Sequence, residues 1–424
     1  MHPFIRDHYT ADDIAGIQQF LNSQGTFHFF ALPTGLFPAA HLSARGEYSG
    51  YDKVWVRDNM HVAHGLYITG QPEMAVRAVR STLDYFHLYR HRFDAIIRGE
   101  ADPEVPMNRP HIRFDGKALR EVNDDWSHAQ NDALGYVLWL ACRMAADDEL
   151  ALSSGDLELL GRFPLYFRAI RYWQDKDSGH WEEKRKVEAS SIGVVVAGLR
   201  ALRTLLATRG IETLAIDGEP VSGALLDTLI GAGEQALDTI LPAECIDPTD
   251  YRAYDAALLF LIYPLDVVSP DQQNAILAHV ETHLRGEYGI RRYLSDSFWC
   301  ANYDELMNEN ERTSNVSEDM SARDALVKPG EEAQWCVFDP VMSTIYGRRY
   351  LVSGDPADAQ QQRVYFNRAL SQLTGSDSGF HEFLCPELYY LKRDRYVPND
   401  VTPLLWTQAN LLIAFEAMQR SLAQ

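Results

Sequence analysis

Apolar positions recur every three to four residues in about twelve segments of the chain, the spacing of amphipathic helices. Their approximate spans are 11–24, 57–70, 72–97, 126–147, 155–175, 188–209, 220–240, 253–264, 270–286, 332–352, 355–374 and 403–422. Local punctuation supports several boundaries. Pro72 follows Gly70 at the head of the third segment, where a missing N–H does no harm. Ser269 is placed to cap the segment that Pro270 opens, and Asp355 and Pro356 repeat the arrangement. The glycines of "TRG" and "LRG" close helices. Strand signals are few, the main candidate being "GTFHFFALP" at 25–33. There is no βαβ alternation, and neither GxGxxG nor GxxxxGK[ST] occurs. The pattern predicts an all-α fold. Paired helices can stack as a solenoid or close into a barrel, and the lack of self-similarity at any period of about 20–50 residues argues against the solenoid.

One segment breaks the rhythm. Residues 301–331, "ANYDELMNENERTSNVSEDMSARDALVKPGE", are polar, acidic and nearly aperiodic. A structureless stretch of this length is unusual inside a compact domain, so it is expected to be either a functional lid or disordered.

Composition narrows the partners. A net charge of −21 and a pI near 5.0 disfavour a phosphate-backbone ligand, which needs clustered Lys and Arg. They suit a neutral ligand such as a sugar, and the eight Trp and 21 Tyr fit that ligand as well as they fit a core. The five cysteines are widely spaced and form no CxxC pair, so the plain reading is reduced thiols in a cytoplasmic protein. The segment "MHPFIRDHYTADDIAG" lacks the apolar stretch of a secretory signal. No apolar run approaches the roughly 18 residues of a membrane span, so neither a membrane nor a nucleic acid is expected as partner.

The informative residues sit at alternate helices. Arg57 and Asp58 begin the second segment and Trp126 the fourth, while Glu182 lies in the approach to the sixth. Asp250, Tyr251 and Arg252 lie at the eighth, Glu332 and Trp335 at the tenth, and Glu387 ahead of the twelfth. Each acid taken singly is what capping and the helix dipole would select. In a barrel of alternating inner and outer helices, however, all these ends meet at one face, where loops on a rigid scaffold carry function.

These residues also carry a resemblance. "VWVRDN", "WSHAQNDALG", "SGHWEE" with the following "KVEASSIGVVVAGLRAL", and "GIRRYLSDSFW" resemble, in order, motifs of glycoside hydrolase family 15, the glucoamylase-like inverting glycosidases. "EEAQWCVFDPVMSTIY" and "CPELYYL" resemble the version in the phosphorylase kinase alpha and beta subunits more than that of fungal glucoamylases. The similarity runs from about residue 25 to the end. It implies an (α/α)6 barrel, in agreement with the twelve helices. Many bacterial members carry an N-terminal β-sandwich domain, but only about 55 residues precede Arg57. One barrel over residues 1–424 is therefore expected, with 301–331 as an active-site loop or lid.

The resemblance also implies roles. An inverting glycosidase uses a protonated carboxyl as general acid and an ionised one as base, about 6.5–9.5 Å apart with a water between. By motif these are Glu182 and Glu387. Glu183 would tune Glu182 and is counted with the substrate-binding residues, or is a solvated surface acid. Arg57 and Asp58 would hold hydroxyls of the innermost sugar, or brace the barrel mouth as an ion pair. Trp126 would form an apolar wall or fill core. Arg292 would meet the next sugar, with Arg291 as a register alternative. Tyr51, Trp181, Trp335 and Tyr389 are further binding candidates, and His128 and His180 are expected bystanders. No cofactor or metal is called for. The expected function is an inverting, exo-acting α-glucosidase or glucoamylase. The alternatives are a non-catalytic glucan-binding or regulatory protein, as the kinase-subunit likeness permits, and an inverting phosphorylase using Lys392, Arg393 and Arg395 near Glu387.

Overall fold

The computed structural model describes residues 4–40 and 49–424, apart from the side chain of Asn310. Its helices are α1 (Ala11–Ser23), α2 (Val56–Ile68), α3 (Pro72–Leu88), α4 (His91–Ile97), α5 (Asn131–Ala146), α6 (Ser154–Ile170), α7 (Ala189–Thr208), α8 (Gly223–Ile240), α9 (Leu259–Ile262), α10 (Pro270–His279), α11 (Tyr303–Leu306), α12 (Ser321–Asp324), α13 (Phe338–Ser353), α14 (Pro356–Ser371) and α15 (Leu405–Leu422).

Six of them form a closed ring. α2 packs on α5, α5 on α7, α7 on α9, α9 on α13, α13 on α15, and α15 returns to α2. The outer layer is α3 behind α2, α6 behind α5, α8 behind α7, α10 behind α9, α14 behind α13 and α1 behind α15. This is an (α/α)6 barrel. The layer to which a helix belongs follows from its sequence. α2 is buried without interruption from Val56 to Leu66, and α7 from Ala189 to Leu199, because an inner helix faces the barrel axis on one side and the outer ring on the other. α10 buries only Ile276 and Leu277, the narrow stripe of an outer helix. α5 and α7 approach closely through glycines: a Cβ on Gly198 would stand 2.8 Å from the Gly135 carbonyl.

Several expectations need correction. The 25–33 segment is not a strand. It turns at Gly25 (φ +82°), and the Leu32 N–H bonds the Leu36 carbonyl, so its extended backbone closes on itself instead of joining a ladder. The third predicted helix is broken between α3 and α4 at Tyr89 and Arg90. The eighth shrinks to a 3-10 turn at 256–258 plus α9, ended just ahead of Pro264. The apolar α7 is in fact long and apolar enough to cross a membrane by length and composition; in this fold those residues are the inner wall of the barrel. The five cysteines are free, buried thiols.

Short strands fill the connections: two three-stranded sheets contribute Trp55 and Trp335 to the site end, whereas a two-stranded hairpin links the far end of α7 to α8. β1 (Val54–Trp55), β2 (Arg113–Asp115) and β3 (Arg120–Glu121) form one antiparallel sheet, and β4 (Thr213–Ile216) pairs with β5 (Glu219–Ser222). β6 (Gln334–Trp335), β7 (Leu388–Lys392) and β8 (Arg395–Pro398) form another, with Trp335 opposite Leu388. Residues 301–331 are ordered into α11, a 3-10 turn at 309–311 and α12, their ends joined by the Ala301 N–H on the Glu331 carbonyl at 3.0 Å.

Candidate active site

The N-terminal ends of the inner helices converge on one cavity. Arg57, Asp58, Trp126, Trp181, Glu182, Arg292, Trp335 and Glu387 all line it. Ring order sets their arrangement. Glu182 is delivered by the approach to α7 and Glu387 by the approach to α15, the third and sixth members of a six-membered ring. The two carboxylates, 205 positions apart in sequence, therefore enter from opposed sides.

Glu182 follows a 3-10 turn at 179–181 and has left-handed backbone, φ +58°. The turn depends on Gly179, at φ +51°, where a Cβ would stand 1.4 Å from a Glu188 carboxylate oxygen. Trp181 is fixed by its indole N–H, which donates to Asp255 at 3.0 Å.

Arg57, in the first turn of α2, is the buried hub beside Glu182. One guanidinium nitrogen donates to Asp132 at 3.0 Å and to the carbonyl of Gly179 at 3.2 Å. The other donates to Glu182 Oε1 at 2.9 Å. The planar fork thus ties the α2 and α5 termini to the turn that carries Glu182. The next residue, Asp58, is a buried carboxyl raised to about 7 by loss of water; Arg57 opposes the rise and Glu182 adds to it.

Glu387 stands just before β7, its backbone held between the carbonyl of Val401 and the N–H of Cys336. Its Oε1 accepts from the Tyr51 hydroxyl at 2.8 Å and its Oε2 from the Asn399 amide. Burial raises this carboxyl to about 7, while the Tyr51 and Asn399 hydrogen bonds restrain the rise.

Aromatic rings form the walls. The Arg292 guanidinium lies 5.0 Å from the Trp181 ring, 4.9 Å from Trp335 and 5.1 Å from Phe298, and Asp296 grips it through both Oδ atoms. Trp126 stacks against Arg113 at 4.2 Å. Trp406 lines the cavity and stacks on His61 and Phe260. Among the described residues, the buried indole N–H groups of Trp126, Trp335 and Trp406 and the Arg57 Nε have no hydrogen-bond partner. Buried polar atoms are rarely left so, and such donors suit a ligand rich in oxygen acceptors.

Two binding candidates lie elsewhere. Glu183 does not line the cavity. Its carboxylate lies among Arg292 (3.0 Å), Arg323 (2.9 Å), Arg252 (3.3 Å) and the Tyr293 hydroxyl (2.6 Å). Burial opposes its charge, but the three arginines outweigh it and hold the carboxyl at about 2. The left-handed backbone at Glu182 accounts for the divergence of these sequence neighbours. Tyr389 is also outside the cavity, its hydroxyl donating to the Gln372 carbonyl at 3.0 Å, because β7 sends alternate side chains to opposite faces.

Other candidates sort similarly. Arg291 pairs with Glu332 at 3.2 Å away from the cavity, so Arg292 is the arginine in register. Asp250, Tyr251 and Arg252 line a separate surface groove. His128 stacks on His111. His180 borders the cavity, held between Tyr136 and Ser190 and lowered to about 4 by burial. Lys392 and Arg393 are ion-paired with Asp304 and Glu305 outside it. Sequence reasoning missed Asp132, Asn399 and Trp406. Asp132 and Trp406 had a signal, since each stands in the first turn of an inner helix. Asn399 had none.

A double ring of helices with opposed carboxyls and indole walls at one mouth defines a barrel of the glycosidase type. The chain belongs to glycosyl hydrolases family 15, whose model matches residues 20–339. It is 26% identical over 400 residues to the probable phosphorylase b kinase regulatory subunit alpha of Caenorhabditis elegans, covering 85% of this chain but only 30% of that protein. Among solved structures it is similar to a glycosidase in complex with glucose (TM-score 0.66, 18% identity, 97% and 99% of the two chains). It is also similar to a glucoamylase from Saccharomycopsis fibuligera (TM-score 0.60, 13% identity, 99% of each).

Proposed function

We propose that the protein is an inverting, exo-acting glycoside hydrolase that releases glucose from α-glucosides or short glucans. Glu182 is the general acid and Glu387 the general base. The observation that carries this reading is the entry of these two carboxyls into one cavity from the third and sixth positions of the ring. Inversion needs attack by water on the face opposite the leaving group, hence one carboxyl on each side of the scissile bond. On this reading residues 1–424 act as one catalytic domain with 301–331 inserted beside the site, and the protein works in the cytoplasm.

The roles follow from the surroundings. Glu387, held by Tyr51 and Asn399, takes a proton from the attacking water. Glu182 donates to the departing oxygen; a sugar hydroxyl entering beside Arg57 takes over part of the guanidinium fork and frees the carboxyl. Arg57 and Asp58 hold hydroxyls of the innermost ring, while Trp126, Trp181, Trp335 and Trp406 cover its apolar faces. The test is NMR of the anomer released from a panel of α-glucosides. The expected product is β-glucose, with kcat lowered about 10²–10⁴-fold in Glu182→Gln and Glu387→Gln. Release of α-glucose overturns the inverting assignment.

A second reading has its own support. The likeness to a kinase regulatory subunit over 85% of the chain favours a regulatory, non-catalytic role, in which the same cavity would bind a glucan without cleaving it. Binding of glucans by calorimetry with no turnover on any glucoside selects it. The phosphorylase alternative loses its support, because none of Lys392, Arg393 and Arg395 lines the cavity, and the first two are ion-paired with Asp304 and Glu305.

A further inference from the structure

Residues 312–316 line the cavity together with Glu182 and Glu387, and so does Arg323. The polar segment is therefore a wall of the site, fastened at three places. Its root sits on the β7–β8 hairpin, where the Asn302 N–H donates to the Leu391 carbonyl at 2.8 Å and Lys392 pairs with Asp304. On one side the Arg323 guanidinium donates to Glu183 at 2.9 Å and to Ser297 Oγ at 3.1 Å, both Arg323 and Glu183 being buried. Glu183 is bonded in sequence to the proposed acid, and the next N–H, of Lys184, meets Met320 Sδ at 3.4 Å. On the other side Arg312 reaches Asp400 at 3.4 Å. Asp400 follows Asn399, whose amide donates to the proposed base. Two arginines eleven positions apart in one acidic segment thus grip the supports of the two opposed carboxyls.

The cavity that they wall has a volume of about 100 Å³.

We propose that Arg312 and Arg323 latch this segment across the site and that Thr313–Val316 wall off the leaving-group side, so that the site takes glucosides with a short leaving group in preference to long glucans. The inference rests on the hydrolytic reading and assigns the substrate class of that same site. Arg312 and Arg323 are positioning residues: each acts through the segment it holds.

The test uses the full chain, wild type against Arg312→Ala, Arg323→Ala and the double variant, with Arg323→Lys as the conservative control. Two quantities are read. One is the ratio of kcat/KM for an α-linked glucose heptasaccharide to that for the disaccharide. The other is the rate of thermolysin cleavage within 303–324, mapped by mass spectrometry. Wild type is expected to prefer the disaccharide. The double variant is expected to raise the ratio about tenfold and the cleavage rate at least fivefold, with Arg323→Lys between the two. A wild type that prefers the heptasaccharide, or a ratio unchanged while cleavage rises, overturns the proposal. Cleavage no faster than in wild type overturns the latch. If Arg323→Ala does not fold, Arg312→Ala, whose pair with Asp400 is partly exposed, carries both readings. If wild type turns over no glucoside, the hydrolytic reading has failed, and the same ratio taken from calorimetric Kd values still decides the latch.

Discussion

Replacing Tyr51 by Phe should move the basic requirement of the reaction to higher pH. The Tyr51 hydroxyl and the Asn399 amide each donate to the Glu387 carboxylate, and both hold down a carboxyl that burial has raised to about 7. Hydrogen bonds to the charged form lower a carboxyl pKa, so losing one raises it. A hydrogen bond to a charged group contributes about 1.5–3 kcal/mol. Entry of a water into the space left by the hydroxyl recovers part of that, leaving on the order of 1.4 kcal/mol, or one unit. The rising limb of kcat/KM, expected near pH 7 in wild type from the burial of Glu387, should then shift to about pH 8. At pH 6 the ionised fraction of Glu387 falls roughly tenfold, and kcat/KM falls with it, while at pH 9 the two enzymes differ little on this account. Because Tyr51 also lines the cavity, a uniform loss of activity is uninformative and the position of the limb is what counts. The assay is kcat/KM from pH 5 to 9 on the best glucoside, with Asn399→Ala as the companion expected to move the limb the same way. A limb that stays in place, or moves down, refutes the assignment of Glu387 as the titrating base.

Three other substitutions probe the frame of the site. Glu183→Gln leaves Arg252, Arg292 and Arg323 around a neutral amide and should destabilise the fold by about 3–5 kcal/mol in urea melts at pH 7. Since the Glu183 carboxyl is held at about 2, below its ordinary 4.5, its contribution is full above pH 4.5 and is lost as pH falls towards 2; the gap between wild type and variant should narrow over that interval. Arg57→Lys keeps the charge but cannot reach Asp132, the Gly179 carbonyl and Glu182 together, and should lower kcat/KM by about 10²-fold with a much smaller change in melting temperature. Gly179→Ala forces a Cβ against Glu188 at a positive φ and should cost at least about 1–3 kcal/mol of stability together with most of the activity. A variant as stable and active as wild type would show that the 179–182 turn does not position Glu182.

The difference between Glu182 and Glu183 shows where sequence legibility ends. The barrel could be read because each inner helix repeats one arrangement: a polar or aromatic cluster at its start, then an apolar run, then a turn to a narrower-striped outer helix. That arrangement is local, and it also marked Arg57, Asp58, Trp126, Glu182, Trp335 and Glu387. The direction of a side chain from a loop is not local. Adjacent acids at 182 and 183 part company because the backbone between them is left-handed, and because three arginines from positions 252, 292 and 323 are waiting on one side only. Tyr389 was misplaced for the same kind of reason: the pleat of a five-residue strand sends it outward, and so short a strand leaves little period-two signal. The 301–331 segment lacks a periodic pattern because ion pairs and single backbone bonds to distant residues order it. Its organising contacts, Arg323 to Glu183 and Arg312 to Asp400, span 140 and 88 positions. Long-range charge pairing of this kind orders a chain without leaving a repeat in it, so the least legible segment is also the one whose placement over the cavity bears most on which substrate enters.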